Sequence, residues 1–342
     1  MRKVYLIVFS FLILIPCISG QEAYVFKDIY KINIDVDGTD KESISHGMKE
    51  ALKLVIINVS GSSEILTNKT IMKALPKPEL FISEYKHNFK EGGKITGVFS
   101  FNGKEVRKFL SDNGLPLWVG LTHDILVYFP CRYNLSSPNP VLHKDRCNNL
   151  ITKTKSITSL RVLNIVEPGM DLDDLETMEI FKSKSDEVVL NNIARRYGLN
   201  NWLACFIYDS LGVLFDNPNC ISSEFYGSQL PLETSVTFLA DSLNKEYQLV
   251  INPNLNSSSL LTITGIKDHL SLNLIKEIID SQTLVVNSRI ISMEGSKVIF
   301  FINLIGKPTD LQKIMNVNTS FFLNANSQIE DESISYSYIG EN

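Results

Sequence analysis

Small layered α/β modules, two or three of them, α+β / α/β in class, with a C-terminal β-α-β-β-α unit, are what the residue pattern of this chain predicts. At 342 residues it is long enough for more than one core, since a single core serves about 100–200 residues. Its composition, 44% hydrophobic and 21% charged, is that of a globular protein. Short apolar runs bounded by turn residues alternate with stretches whose apolar residues recur at steps of three and four.

Residues 1–20 stand apart as a signal peptide. Arg2 and Lys3 precede an unbroken apolar run from Val4 to Ile15, and Pro16 to Gly20 form a small-residue exit. The run is too short for a membrane span, which needs about 20 residues. The address it predicts is periplasmic, with no transmembrane helix in the mature chain. The formal charge is -5 and becomes -7 once Arg2 and Lys3 leave with the peptide, because residues 1–20 hold no acid. A mildly acidic surface gives no electrostatic reason to bind nucleic acid.

An N-terminal α+β domain follows over 21–120. Ala23 to Val36 reads as an extended segment ending at Asp37-Gly38. Thr39-Asp40-Lys41-Glu42 is a capping box for a helix whose stripe is Ile44, Met48, Leu52, Val55, Ile56 and Val59, closed by Gly61. A short helix covers Lys69 to Leu75, and strands cover Leu80 to Phe89 and Ile95 to Phe101. Gly103 opens a helix that ends at Gly114.

The middle α/β domain, 121–252, begins with a wholly apolar strand, Ile125 to Phe129, of the kind covered on both faces. Arg132 to Asp145 reads as loop, and Leu160 to Val166 as a second strand. A helix follows Ser185-Asp186-Glu187 and stops at Gly198. Trp202 to Tyr208 and Gly212 to Phe215 form a hairpin, and Thr234 caps a helix through Tyr247. The C-terminal domain, 253–325, has a strand from Leu260 to Ile266 and a helix bearing Leu274, Ile275, Ile278 and Ile279. Strands Leu284 to Met293 and Val298 to Ile305 and a final helix from Asp310 complete it. Residues 326–342, with Glu330, Asp331 and Glu332 and no Lys or Arg, read as a disordered acidic tail. One internal echo runs through the chain. Strand, Gly103-Lys104, helix recurs as strand, Gly306-Lys307, helix, a likeness that shared turn chemistry explains without a repeated module.

No His-Glu-x-x-His, Gly-x-Ser-x-Gly or Walker sequence occurs. No cofactor is expected. His143-x-x-x-Cys147 has a workable zinc spacing with His123 and Cys131, but oxidised cysteines cannot bind metal. Cys131, Cys147, Cys205 and Cys220 are an even number in an oxidising address, and four cysteines allow three pairings. Cys131 with Cys147 leads because a Pro/Asn-rich loop separates them, and Cys205 with Cys220 follows; free buried thiols stay open as the alternative. Asp171, Asp173 and Asp174 form the densest acidic run before the tail. They suit a helix N-terminus, where aspartates cap amides and meet the dipole, better than paired catalytic carboxylates. Trp118, after Gly114-Leu115-Pro116-Leu117, is either a ligand platform or, the preferred reading, an aromatic plug between domains.

The order of Val59-Ser60-Gly61, Glu84-Tyr85, Phe101-Asn102, Gly114-Leu115-Pro116-Leu117-Trp118, Asp171-Leu172-Asp173-Asp174 and Ala194-Arg195-Arg196-Tyr197-Gly198 resembles an uncharacterised secreted proteobacterial family, domain of unknown function two-zero-six-six. That family tends to carry an Arg-Pro pair where Thr122-His123-Asp124 stand here. The resemblance implies a Gram-negative envelope protein and no reaction chemistry. The expected function is therefore a non-enzymatic binding or envelope-assembly accessory protein whose partner is a protein or envelope component. An envelope-polymer hydrolase using Asp171, Asp173 or Asp174 is the alternative, and a small-molecule carrier with a pocket between the N-terminal and middle units is a third.

Overall fold

The computed structural model of the protein describes residues 28–89, 92, 94–120, 122–128, 140–169, 171–174, 187–208, 214–317, 320–324 and 333–339. The leader-like segment 1–20 lies outside them. The protein is of α+β class, with four sheets of three, two, five and five strands.

The first sheet is built by β1 (Lys31–Val36), β2 (Ile82–Phe89) and β3 (Ile95–Phe101), antiparallel in the order β1-β3-β2. Between β1 and β2 run α1 (Lys41–Ser60), a 3₁₀ turn at Ser63–Thr67 and α2 (Lys69–Ala74). The helix is capped one residue later than the Thr39–Glu42 box would place it: Asp40 is the N-cap, and its carboxylate accepts the Glu42 and Ser43 amides at 3.0 Å each. Gly61 ends α1 at φ 76°, the left-handed conformation that suits glycine. Ala51, Leu52, Val55 and Val59 bury the helix stripe, and Phe99 meets it from the sheet. α3 (Gly103–Asp112) follows β3, and β4 (Pro116–Trp118) pairs antiparallel with the later β10 (Gln248–Val250).

The middle sheet has the order β6-β5-β7-β8-β9, formed by β5 (His123–Tyr128), β6 (Leu163–Val166), β7 (Trp202–Tyr208), β8 (Leu214–Ser222) and β9 (Leu230–Pro231). As the apolar β5 run requires, helices cover both faces. α4 (Pro140–Leu160) and α6 (Leu232–Lys245) pack against Ile125, Val127 and Leu203 on one side. On the other, α5 (Glu187–Arg196) packs against Leu126, Trp202 and Ala204. Two sequence readings need correcting here. The loop expected through Asp145 becomes helix from Pro140, and α6 begins at Leu232, so Thr234 lies in its first turn. The reason for the first lies in the stripe: Cys147, Leu150 and Ile151 are continued by Thr154 and Thr158. Both hydroxyls donate to the carbonyl four residues back, at 2.8 and 2.9 Å, which lets threonines occupy a buried helix face.

The last unit comprises β11 (Asn256–Thr264), α7 (His269–Asp280), β12 (Val285–Glu294), β13 (Lys297–Ile305), α8 (Pro308–Val317), β14 (Phe321–Leu323) and β15 (Ser333–Tyr338), in sheet order β12-β13-β11-β15-β14. The acidic tail is corrected by β15. Ser333–Tyr338 lies inside the sheet, parallel to β11 and antiparallel to β14, and Tyr336 is fully buried. Ile334 and Tyr336 alternate with serines, a period-two pattern that pays its ordering cost by filling the face over Leu261 and Ile263.

Setting the first and last units side by side reveals one plan. In each, a strand and a helical segment (α1 and α2 in the first unit, α7 alone in the last) precede two strands and a helix, and the third strand is central and antiparallel to both others. The two Gly-Lys pairs fall near the same joint: Gly103-Lys104 open the helix after the central strand, and Gly306-Lys307 lie just before the corresponding helix. Buried residues of both units, joined through Leu117 and Leu249 on β4 and β10, form one continuous core, whereas the middle sheet has a separate core on each face.

Candidate functional site

A cleft of about 310 Å³ opens where the three units meet. Its floor is set by Tyr30, just before β1, and by α3. Asn102 starts that helix by accepting the Lys104 and Glu105 amides at 3.1 and 3.3 Å. A Cβ on Gly103 would stand 2.8 Å from the Tyr30 ring, so glycine is what lets the ring lie against the helix start. Arg107, one turn on, then projects over the same ring with its guanidinium 5.9 Å from the ring centre, and its Nε donates to the Tyr30 hydroxyl. No carboxylate pairs with Arg107 among the described residues, and its terminal nitrogens make no hydrogen bond there.

Trp118 forms the opposite wall. β4 places it across from Gln248, and the Val119 amide donates to the Tyr247 carbonyl at 3.0 Å. The indole is 7% exposed, yet its Nε1–H has no hydrogen-bond partner. A buried tryptophan N–H usually finds one. Gly120 packs closely beside that N–H: a Cβ there would come within 2.5 Å of Nε1 and 2.8 Å of the Tyr247 ring. Val162 lines the cleft from the end of α4 at φ 58°. A β-branched residue in the left-handed region is strained, and such strain gathers at functional positions. A larger, more open depression of about 810 Å³ runs along the outer face of α1 beside Pro76 and Pro78.

The polar seam behind the cleft joins the units. Arg161 is almost fully buried and reaches Asp241 on α6 through Nη2 at 2.7 Å, while its Nε and Nη1 have no partner. Asp241 also accepts the Ser63 amide at 2.9 Å and the Ser63 hydroxyl at 2.5 Å, so one carboxylate ties three chain segments together. His123 packs against Tyr247 with ring centres 5.5 Å apart. Burial holds its imidazole below the ordinary value, against the opposing pull of its hydrogen bond with Asn244.

The acidic run has a different environment. Asp174 is fully buried; Arg196 donates to it through Nη1 at 2.5 Å and to Asp171 through Nη2 at 2.6 Å, and Asp173 lies 3.6 Å from the same nitrogen. Tyr197 donates its hydroxyl to Asp174 and accepts the Gly169 amide at 2.6 Å. The Asp174 amide caps back onto Asp171 at 3.0 Å, the role its sequence position suggests. The Arg196 hydrogen bond holds the Asp171 carboxyl below its ordinary value. Acid–base hydrolysis needs one carboxyl that keeps its proton near neutral pH. Asp171 is shifted the opposite way, and Asp174 is sealed from substrate.

Cys205 and Cys220, opposite each other on β7 and β8, form a disulfide. Cys147, buried on α4, is also disulfide-bonded and so is no zinc ligand; Cys131 lies outside the described residues. Among the described residues no group of three or more His, Cys, Asp or Glu is placed to share a metal ion. None of their helices is long and apolar enough to cross a membrane. Of the residues singled out in the sequence, Trp118 and Thr122 line the cleft. Tyr30, Arg107, Gly120 and Val162 carried no motif; the one local signal was the Gly103-to-Arg107 spacing on a helix face.

These features define an α+β protein with a small cleft at the junction of its units. Residues 23–119 match the model of a family described as Domain of unknown function (DUF8605). The match spans the N-terminal unit, including Tyr30, Arg107 and Trp118. It agrees with the resemblance in pointing to an uncharacterised domain, though to a different one. No curated protein and no solved structure matches the chain.

Proposed function

We propose that this is an exported, non-enzymatic binding protein of the bacterial envelope, and that the cleft at the junction of its units holds the ligand. The observation that carries the reading is that one cleft is lined by Arg107, whose guanidinium pairs with no carboxylate among the described residues, and by Trp118, whose buried indole N–H has no partner. Export is supported by the basic-then-apolar opening of the chain, by the Cys205–Cys220 disulfide and by the resemblance to a secreted proteobacterial family.

The test uses purified, disulfide-intact protein and periplasmic extract separated into small-molecule and protein fractions. A fraction that holds the ligand raises Tm, because binding to the folded state alone stabilises it. Gly120→Ala, which places a methyl group against the indole N–H, should abolish the rise. A rise that survives in Gly120→Ala, or no rise in any fraction, overturns the reading. Fractionation should recover the chain, shortened at its N-terminus, from the periplasm; full-length chain in the cytosol would refute export.

A further inference from the structure

We propose, resting on the cleft as the binding site, that its ligand is a small organic monocarboxylate. Among the residues lining the cleft, the donors without partners are the terminal N–H groups of Arg107 and the buried Nε1–H of Trp118; Asp28, Thr122 and Gln282 line it as well. A carboxylate has two oxygens and one charge, which this pair satisfies, and a planar guanidinium is shaped for it. A phosphate would bring more charge and more oxygens than one guanidinium and one indole can meet. Asp28 lies at the rim with its Oδ1 accepting the Tyr30 amide at 3.0 Å, and its charge would repel a phosphate dianion more strongly than a monocarboxylate. A cationic ligand would be repelled by Arg107.

The cleft also has an apolar part, beside the polar Thr122 and Gln282. Ile29, Val162 and Ile314 come from three different parts of the chain and give a hydrocarbon body a surface to cover. The volume, about 310 Å³, is at the small end of the range for ligand sites, about 300–1,000 Å³. Arg107 is held ready by Tyr30 rather than neutralised by it, since a hydroxyl removes no charge.

The test titrates the intact protein with octanoate, octanamide and inorganic phosphate, reading Tm and tryptophan fluorescence. The chain has two tryptophans, and Trp202 is buried in the middle unit with its indole donating to Asn191 at 2.8 Å, so a fluorescence change reports Trp118. Octanoate should shift both signals at about tenfold lower concentration than octanamide or phosphate, and Arg107→Gln should erase that advantage while Arg107→Lys retains part of it. Octanamide or phosphate matching octanoate, unchanged octanoate binding by Arg107→Gln, or no response to octanoate at millimolar concentration would overturn the assignment. If octanoate is silent while periplasmic extract still raises Tm in a Gly120→Ala-sensitive way, only the carboxylate falls. If neither acts, the binding reading falls with it.

Discussion

Arg161 and Asp241 show how one buried ion pair is costly to break and cheap to replace. Arg161 has a single carboxylate partner and two donors without partners, so its charge is only partly compensated. Asp241→Ala should cost about 3–5 kcal/mol in urea unfolding, because it strands a buried cation and frees Ser63. Arg161→Met should cost much less, since an apolar side chain of similar length removes the charge that needed a partner. Equal losses in the two variants would contradict this account. His123 gives the pH counterpart. Its folded pKa lies below the ordinary 6.5, so the native state binds fewer protons than the unfolded chain in the interval between the two values. Stability is full above 6.5 and falls on acidification through that interval; His123→Gln should flatten the slope of urea midpoint against pH. None of these partnerships could be read from the sequence. Arg161, Asp241 and Ser63 are far apart in the chain and meet only when α4, α6 and the 3₁₀ turn after α1 are packed.

At the scale of elements, the sequence was most legible where burial follows a simple period and ends on a dedicated residue. The Asp40 cap, the Gly61 stop and the β2–β3 pair stand within a residue or two of their expected places. It was least legible where polar residues do apolar work. α4 hides its buried face in Thr154 and Thr158, and β15 hides behind the acidic run that precedes it. β15 is also joined to its neighbour by parallel pairing across most of the C-terminal unit, which no local pattern reveals. Tyr336 anchors it, donating its hydroxyl to Asn316 at 2.7 Å, while burial pushes the phenol pKa up. Tyr336→Ala should cost about 3–5 kcal/mol, the range for removing a buried aromatic side chain. A loss within experimental error would return the segment to the status of a tail. The β7–β8 disulfide closes a sequence separation of 15 residues, and replacing both Cys205 and Cys220 by Ala should lower stability by about 3 kcal/mol.

For the whole molecule, chain order is a poor guide to which parts stand or fall together. Division along the sequence separates an N-terminal, a middle and a C-terminal unit, yet the first and last share one core while the middle sheet keeps cores of its own. The shared three-strand plan, with the third strand central, explains how this can be. Two units of like topology each have a sheet with one helix-covered face, and the β4–β10 ribbon carries Leu117 and Leu249 into the space between them. Cooperativity should follow the cores rather than the sequence. Ile302→Ala removes a fully buried side chain from β13 and should cost about 2–5 kcal/mol. Native-state hydrogen exchange would show where that loss is felt. Amides of α1, more than two hundred residues away in sequence, should lose protection together with those of β13, whereas amides of α5 on the far face of the middle sheet should keep theirs. Faster exchange confined to the C-terminal unit would mean that the common core does not couple the two ends of the chain. A parallel loss in α5 would mean that the seam of Arg161, Asp241 and Ser63 binds the middle unit into the same cooperative block.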